Sequence, residues 1–497
     1  MFPLYEEYTP PCVLGLSGGF HDAGATLISN QGDILFAGHA ERYSGLKNDP
    51  DINQELINDA LSYGDPQMLA WYENPWLKKT RQIYSGEWRK IFSPSPTKYA
   101  KQFGLTQYME YHRHHKSHAA AGFQTSPFEN AKVVVVDAIG EWDTISIWDA
   151  SYDIYGFAKY KLLFRQKYPH SIGLFYSAIT DYVGLKPMED EYILMGMAAY
   201  GGLYETAYKK CLEMISSVNQ QTFKDNLHAG IPENIFPEGL DKFDIAAGAQ
   251  IVTEQLLENL FRRHVKFTDN VVFMGGVALN CVANSKLRPY YNGWWIMPNP
   301  GDCGSSLGAA ALSYGKKLNW QGPYLGHDMG GPYPVDAVIG ELQENKIVGV
   351  ATGRAEFGPR ALGTRSLLAD PRGTDIKDRV NEIKRRQKFR PFAPMVLEEH
   401  ANKLFFMCKD EPYMQGVYKC KYPETYPAIV HKDGTSRVQT VGRNDHSGVR
   451  ELLEKWYVLT DCPMLLNTSL NIKGEPMVNN RLDADRFEKR YGVKVCS

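Results

Sequence analysis

A pattern of three short strands followed by helix-compatible sequence occurs twice in this chain, and it restricts the fold more than any other feature. The first copy predicts strands at Cys12–Leu16, Gly24–Ser29 and Asp33–His39. The second copy predicts strands at Lys132–Asp137, Thr144–Asp149 and Phe157–Leu163. Because strands and helices alternate in both copies, the sequence predicts a duplicated α/β unit.

A separate α/β domain is predicted after the duplicated unit. The chain has 497 residues, which is too many for one hydrophobic core. A stretch rich in Gly, Pro and aromatic residues, GKKLNWQGPYLGHDMGGPYPV, indicates a boundary near 315–335. We therefore predict domains at residues 1–325 and 341–497, joined by a linker at 326–340. Duplicated units of this kind occur in actin-like and sugar-kinase ATPases.

Bulk properties exclude several classes of protein. The net charge of −2 gives no global basic field for nucleic acid or membrane. The eight cysteines are scattered without a C-x-x-C pair, which is typical of reduced thiols. The N-terminus has no signal-peptide pattern and no run approaches 18 apolar residues. These features predict a cytoplasmic enzyme that does not associate with a membrane.

Two histidines and two aspartates form a candidate metal site. His114 and His118 are four residues apart, so on a helix both imidazoles project from one face. Asp137 ends the apolar run VVVVD, where open α/β sheets place ligands, and Asp302 lies in the turn NPGDCGSSLG. Surface histidines and a turn-capping aspartate are the alternative interpretation. Two nitrogen and two oxygen ligands favour iron(II), manganese or zinc over magnesium alone.

Glycine-rich turns and clustered cations are candidates for binding phosphate. The segment FMGGVALN contains Gly275, Gly276 and Asn280 and could present backbone N–H groups to phosphates, although glycines more often serve close packing. Arginines recur in GRAEFGPRALGTRSLLADPR, at 354, 360, 365 and 372. Polar loops further along add Lys384, Arg390, Arg437, Asn467 and Ser469. Because Pro, Phe and Gly interrupt the charges, we favour anion binding over a solvated face.

Motifs along nearly the whole chain, from about residue 12 to 480, resemble those of the carbamoyltransferase family. The motifs are GLSGGFHDAGATLI, HHKSHAAAGF, VVVDAIGEW, HSIGLFYSAIT, LMGMAAYG, GGVALNCVAN, NPGDCGSSLGAA, EFGPRALGTRSLLADPR, FRPFAPMV, DGTSRVQTV and LNTSLNIKGEPMV. The family includes the nodulation-factor, cephem and tobramycin carbamoyltransferases. This chain departs from the family pattern at Ala138, in the looser segment containing Glu41, Arg42 and Lys47, and in its shortened C-terminal segment.

The resemblance implies a fold and a reaction. It implies a duplicated actin-like N-terminal domain and a YrdC-like α/β C-terminal domain. The second domain is expected to form carbamoyladenylate from carbamoyl phosphate and ATP, with magnesium as an option beside ATP. The first domain is expected to transfer the carbamoyl group to a hydroxyl.

The resemblance also implies roles for individual residues. Iron(II), or manganese or zinc in its place, is the expected metal on His114, His118, Asp137 and Asp302. The ATP and carbamoyl phosphate contacts are expected at Arg360, Lys384, Arg390, Arg437, Asn467 and Ser469. His21 resembles the acceptor-side histidine, where an imidazole could accept the proton of the hydroxyl.

The acceptor is indicated only by residues 71–120. This window contains ten aromatic residues and nine Lys or Arg against three Glu. Interleaved cations and aromatics suit a phosphate backbone with an extruded base, although sugars and core packing also use aromatics. Phage-type members of the family carbamoylate 5-hydroxymethylcytosine in DNA. We therefore favour DNA containing this base as acceptor, with a host-cell cytoplasmic location for a phage-encoded protein, over a small-molecule or sugar hydroxyl.

Other functional classes remain as alternatives. A sugar-kinase-like phosphotransferase would release ADP rather than AMP and pyrophosphate. A tRNA threonylcarbamoyl transferase would need a threonine-derived donor, and a nucleic-acid-binding module would show no turnover. A homodimer is an open expectation.

Overall fold

The N-terminal unit is an α/β layer built on a five-stranded sheet. The computed structural model describes residues 10–497, without the side chains of residues 89 and 90, so the first nine residues of the predicted domain 1–325 lie outside it. The elements are β1 (Val13–Ser17), β2 (Gly24–Ile28), β3 (Ile34–His39), α1 (Glu41–Ser44), α2 (Gln54–Ser62), β4 (Met68–Trp71), α3 (Pro75–Tyr84), α4 (Pro96–Lys101), β5 (Met109–Tyr111) and α5 (His114–Phe123).

The second unit repeats this arrangement with longer strands. Its elements are β6 (Asn130–Gly140), β7 (Asp143–Tyr152), β8 (Ala158–Lys167), α6 (Ile172–Tyr182), α7 (Glu191–Ala198), α8 (Glu205–Glu213), β9 (Ile215–Ser217), β10 (Thr222–Phe223), α9 (Lys242–His264), β11 (Asn270–Met274), α10 (Cys281–Leu287), β12 (Gly293–Trp295) and α11 (Ser305–Tyr314).

The sheet topology proves the duplication. The first sheet has the order β3-β2-β1-β4-β5 and the second the order β8-β7-β6-β11-β12. In both, the first three strands are antiparallel neighbours and the last two add in parallel. This shared 3-2-1-4-5 order is the actin-like arrangement, so the prediction of a duplicated actin-like domain is confirmed.

Helices α5 and α11 pack against each other between the two sheets. Gly308 of α11 lies so close to the backbone carbonyl of Ser117 on α5 that a Cβ atom would overlap it. Both helices are lined with alanine, and their residues belong to the same buried core as β1, β2 and β4. This close contact places the N-terminal ends of α5 and α11 beside the carboxyl end of β6.

The C-terminal unit is an α/β domain with a six-stranded mixed sheet of order β20-β17-β21-β16-β14-β22. Its elements are β13 (Tyr324–Asp328), α12 (Val335–Asn345), β14 (Ile347–Ala351), β15 (Arg354–Glu356), β16 (Arg365–Ala369), α13 (Ile376–Ile383), β17 (Ala393–Leu397), α14 (Glu398–Leu404), β18 (Val417–Lys419), β19 (Thr435–Arg437), β20 (Gln439–Val441), α15 (Ser447–Thr460), β21 (Met464–Ser469), α16 (Arg481–Tyr491) and β22 (Val495–Cys496).

The predicted linker at 326–340 is wrong, because this segment belongs to the folded C-terminal unit. Strand β13 pairs with β15, and α12 begins at Val335. Val335, Val338 and Ile339 are buried in the core of the C-terminal sheet. Gly- and Pro-rich composition therefore marked a turn at the domain edge and not a flexible connection. In the part of the chain that the structure describes, no helix is long and apolar enough to cross a bilayer.

Candidate active site

Four side chains from three different elements converge on one point between the two actin-like units. His114 and His118 lie on α5, Asp137 lies in β6, and Asp302 lies just before α11. One ligand atom of each residue lies within 4.8 Å of the others. The two Nε2 atoms are 3.0 Å apart, and each lies 3.1–3.4 Å from Asp137 Oδ2 and Asp302 Oδ1. The structure thus brings together all four residues that the sequence indicated; their role as ligands is still a prediction.

The electrostatics of this tetrad fit a cation. Burial lowers the pKa of His114, but the charge of Asp302 and hydrogen bonding to Asp137 raise it well above its usual range. Burial would raise the pKa of Asp137, but hydrogen bonds from His114 and His118 hold it well below. Two buried ionised carboxylates therefore require positive charge between them. Imidazole nitrogen and carboxylate oxygen are ligands that iron(II), manganese and zinc accept.

The surrounding chain holds the tetrad in place. The hydroxyl of Ser171 donates to the backbone carbonyls of Asp137 and Ala138, at 3.1 and 2.7 Å. Ser305 Oγ lies 3.3 Å from His118 Nδ1, the ring nitrogen that does not face the tetrad, so it fixes the orientation of this imidazole. Ala138, where the family usually has glycine, is accommodated because its backbone N–H still donates to Asp137 Oδ1 at 2.8 Å.

His21 lies at the same cavity with both ring nitrogens occupied. Its Nε2 lies 2.9 Å from the carbonyl oxygen of Met188, and its Nδ1 lies 3.0 Å from Asp22 Oδ2. Burial lowers the pKa of His21, but the hydrogen bond and charge of Asp22 outweigh it and raise the pKa to about 9. An imidazolium that donates through both nitrogens cannot accept the proton of a hydroxyl. This geometry therefore does not support the predicted role of His21 as a base and indicates a cationic, orienting role.

The C-terminal unit contributes a cluster of cations to the same cavity. The members are Arg360, Lys384, Arg386, Arg390 and Arg437. Among the described residues, none of the five forms an ion pair with a carboxylate. Burial, and then the charges of Arg386 and Arg390, place the pKa of Lys384 well below its usual range. Burial, and then the charge of Arg437, lower the pKa of Arg360 to about 9. Uncompensated positive charge of this density favours a bound polyanion such as a nucleotide triphosphate.

Lys384 is fixed by strand β21 and the loop after it. Its Nζ donates to Ser469 O at 2.5 Å, Ser469 Oγ at 3.0 Å and Asn471 Oδ1 at 2.6 Å. Asn467, two residues earlier on the strand, donates to Ala361 O and Gln439 Oε1. The predicted residues Lys384, Asn467 and Ser469 therefore lie together.

The two groups of residues line one continuous cavity of about 390 Å³. Asp137, Asp302 and His21 line one part, and the cation cluster lines another. Tyr192 of α7 also lines this cavity, with its ring centroid 4.8 Å from the Arg390 guanidinium and 5.8 Å from Lys47 Nζ. Residues of the tetrad and of the cation cluster therefore share one cavity, which is formed by all three units.

The residues of the glycine-rich turn that were predicted to bind phosphate form hydrogen bonds within the protein. Gly275 N–H donates to Pro300 O at 2.9 Å and Gly276 N–H donates to Asp137 Oδ1 at 3.3 Å, so these amides are not free for phosphate. Asn280 exchanges hydrogen bonds with Gln250. Gly276 and Asn280 line the cavity, but their predicted phosphate contacts stay predictions.

Of the four arginines in the segment 354–372, three make hydrogen bonds or ion pairs that stabilise the fold. Arg365 is fully buried and donates to backbone carbonyls on β13, in the turn between β14 and β15 and in the loop before α16. Arg354 donates to the carbonyls of Leu35 and Leu325, and Arg372 pairs with Asp370. Only Arg360 of this group reaches the cavity.

Sequence reasoning missed Arg386, Tyr192 and Asp22, and left Glu41, Arg42 and Lys47 uncertain. Arg386 lies in the run KRRQKFRPF between two predicted residues, which is a signal that could have found it. Glu41 and Lys47 line the cavity, whereas Arg42 donates to Gly358 O at 2.9 Å and joins the first unit to the C-terminal unit.

The fold and the site together define a duplicated actin-like protein whose cavity is completed by a C-terminal α/β unit. Residues 82–311 match the model of the carbamoyltransferase N-terminus and residues 339–496 match that of the carbamoyltransferase C-terminus. The chain therefore belongs to the carbamoyltransferase family. The predicted α/β class is confirmed for both domains, and the YrdC-like character of the C-terminal unit stays a prediction.

Relatives share this organisation over most of the chain. An uncharacterized protein of Synechocystis, sll1178, is 31% identical over 95% of this chain and 93% of its own length. Nodulation protein NolO of Bradyrhizobium diazoefficiens is 32% identical over 75% of each chain. Among solved structures, HypF of T. kodakarensis aligns with 62% of this chain and 48% of its own, at 12% identity and a TM-score of 0.34.

Proposed function

We propose that this carbamoyltransferase is ATP-dependent and transfers a carbamoyl group from carbamoyl phosphate, through carbamoyladenylate, to an acceptor hydroxyl. The observation that supports this is the single cavity that is lined both by an unpaired cation cluster and by Asp137 and Asp302, the two aspartates of the His₂Asp₂ tetrad. The cations suit formation of an adenylate, and the tetrad suits the transfer step. A simple sugar kinase would have no use for the C-terminal cation cluster.

In the proposed donor step, carbamoyl phosphate and ATP together supply four phosphoryl groups. Carbamoyladenylate keeps one of them and pyrophosphate keeps two. One water hydrolyses carbamoyl phosphate and releases the fourth phosphoryl group as inorganic phosphate. The carbamate that remains attacks the α-phosphorus of ATP, and the bond to pyrophosphate breaks. Arg360, Lys384, Arg390 and Arg437 would hold the phosphates and stabilise the charge that develops on the leaving pyrophosphate.

The transfer step takes place at the other end of the cavity. The acceptor oxygen attacks the carbamoyl carbon, the bond to AMP breaks, and the hydroxyl proton leaves to solvent or to the AMP phosphate. His114, His118, Asp137 and Asp302 would hold iron(II), manganese or zinc, which supplies Lewis acidity for the carbonyl oxygen when bound. His21, already protonated, orients negatively charged groups beside Asp302.

Two variants separate the half-reactions. His114→Ala with His118→Ala should lose carbamoyl transfer and bound metal but keep carbamoyl phosphate-dependent release of pyrophosphate. Arg390→Ala should lose pyrophosphate release. His112→Ala is the matched control, because His112 bonds to Ser313 Oγ outside the tetrad. Loss of the same half-reaction in both variants would refute the assignment, and ADP in place of AMP would favour the kinase alternative.

For the acceptor we propose 5-hydroxymethylcytosine in DNA, with a small-molecule or sugar hydroxyl as the alternative. The support is the aromatic and cationic composition of residues 71–120, of which Trp76, Tyr84, Trp88, Phe92 and Tyr108 are exposed. The test is incubation with carbamoyl phosphate, ATP and DNA containing the base, followed by digestion and mass spectrometry of nucleosides. Absence of a carbamoyl mass increment on the nucleoside, with donor formation intact, would reject DNA and leave the small-molecule acceptor.

A further inference from the structure

Helix α3 exposes two large apolar residues and buries two polar ones. Trp76 is 77% exposed and Ile83 is 42% exposed, whereas Arg81 and Gln82 are buried. Arg81 pairs with Glu87 Oε2 at 3.0 Å beneath the helix. A surface helix normally shows the reverse pattern, with its apolar face toward the core. An inverted pattern of this kind marks a face that contacts another molecule.

Neighbouring aromatic residues extend this face. Tyr84 at the end of α3 is 68% exposed, and a short 3-10 helix at Trp88–Phe92 adds Trp88 at 60% and Phe92 at 88%. We refer to Trp76, Ile83, Tyr84, Trp88 and Phe92 as the α3 aromatic surface. Large flat rings in this number provide stacking area for planar groups.

The segment that carries this surface also carries positive charge. Lys79, which is half-buried, follows Trp76 at i+3 and precedes Ile83 at i+4, so it shares their face of the helix. Further along the chain Lys98, Lys101 and Arg113 are exposed, and within residues 10–497 none of these four cations forms an ion pair with a carboxylate. A neutral glycan would gain nothing from these charges, whereas a phosphate backbone would.

The N-terminal half of α3 contacts residues beside the active-site cavity. Lys78 Nζ donates to Gly19 O at 3.3 Å, next to Phe20 and His21 of the cavity wall. Asn74, which caps α3, donates its backbone N–H to Glu141 Oε1, and the same carboxylate oxygen accepts from the His114 backbone N–H. A polymer with one unit in the cavity would therefore extend along α3.

We infer that the α3 aromatic surface binds a single-stranded stretch of the acceptor DNA, with bases stacked on Trp76 and Trp88 and the backbone held by Lys79. This inference rests on the proposed DNA acceptor and adds the surface that holds the bases flanking the modified one. Stacking on aromatic side chains tolerates any base, so this surface gives affinity without sequence preference.

The experiment measures fluorescence anisotropy of a labelled single-stranded oligonucleotide of about 20 nucleotides, a length that spans one or more binding sites. Trp76→Ala with Trp88→Ala should weaken binding at least tenfold, and Lys79→Glu should weaken it and reduce its dependence on salt. Tyr155→Ala with Leu203→Ala is the control, because both residues are equally exposed elsewhere. Melting temperatures verify folding.

Three outcomes would overturn the inference: no binding by the wild-type protein, unchanged binding by the tryptophan variant, or equal weakening in the control. Self-association of the wild type that disappears in the tryptophan variant would also overturn it, because a second copy would then cover the surface. The carbamoylation experiment tests the acceptor proposal separately from the binding surface. Carbamoylated nucleoside with unaffected variants rejects only the surface. Binding that the tryptophan variant weakens, without carbamoylation, rejects the acceptor and with it the inference that this surface holds acceptor DNA.

Discussion

At the residue scale, Arg360 favours ligand binding but lowers the stability of the ligand-free protein. The side chain is held beside Arg437 and Arg390, and burial and these charges lower its pKa to about 9. We expect Arg360→Met to raise the stability of the ligand-free protein by about 1 kcal/mol while lowering affinity for ATP. Urea unfolding and nucleotide titration measure the two effects. A loss of stability would mean that Arg360 has a structural partner.

His431 makes stability depend on pH. Burial, opposed in part by Asp433 and reinforced by Arg437, lowers its pKa from 6.5 to about 4. The unfolded chain therefore binds more protons between these values, so stability is complete above pH 6.5 and falls as pH drops toward 4. At pH 5 the loss is about 2 kcal/mol. His431→Leu should flatten the decrease in urea midpoint between pH 7 and pH 5, and an unchanged slope would contradict this origin.

The four residues of the His₂Asp₂ tetrad were predictable because each had a local signal in the sequence. The two histidines have helical spacing, Asp137 ends a strand and Asp302 lies in a glycine-rich turn. The structural roles of Arg354, Arg365 and Arg372 were not predictable. Backbone carbonyls that satisfy a buried guanidinium come from segments far apart in the chain, such as Thr352 and Asn479 around Arg365. Composition alone cannot distinguish such an arginine from one that lines the cavity, as Arg360 does.

At the scale of elements, the contact between α6 and β6 positions Asp137. Gly173 lies so close that a Cβ atom would be 2.7 Å from Ala138 N and 2.8 Å from Asp137 O. We expect Gly173→Ala to cost about 1–3 kcal/mol, because backbone atoms must move to admit the methyl group. Metal content should fall as well, since Asp137 moves with β6.

The control for this change is Gly340→Ala on α12, where nothing lies within 4 Å of the added methyl group. That variant should be neutral or more stable, because alanine favours the helix over glycine. Urea unfolding and metal analysis on both variants check the prediction. Equal effects at the two positions would show that the packing at Gly173 is not the cause.

Strands with a local apolar pattern were predicted well, and strands without one were not. Strands β1–β3 and β6–β8 were predicted within a few residues of their observed bounds. The ribbons β9–β10 and β13–β15 were missed, because these strands lack an apolar run of their own and depend on pairing with a distant segment. This is also why 326–340 was mistaken for a linker.

At the scale of the whole molecule, the position of the C-terminal unit determines whether the site exists. Arg288, after α10, forms an ion pair with Glu411, whose side chain is almost fully buried, and donates to Asp410 O at 2.8 Å. We expect Arg288→Met to cost about 3–5 kcal/mol, because it leaves a buried carboxylate without a partner.

Arg262→Met is the matched control for this interface, because Arg262 pairs with Glu258 at an exposed position. It should cost less than about 1 kcal/mol. Unfolding in urea gives the stabilities, and carbamoyl transfer should decline with Arg288→Met even where pyrophosphate release survives. Equal stabilities of the two variants would show that this pair does not hold the units together.

The shared cavity also determines what kind of inhibitor this protein would accept. Under the proposed function, a compound that joins a hydrolysis-resistant adenylate to an acceptor alcohol would fill both ends at once. Tethering makes the second contact intramolecular, so affinity would exceed that of either fragment by orders of magnitude. Such a bisubstrate compound would need residues of both the actin-like units and the C-terminal unit, so it would lose affinity wherever the two are separated.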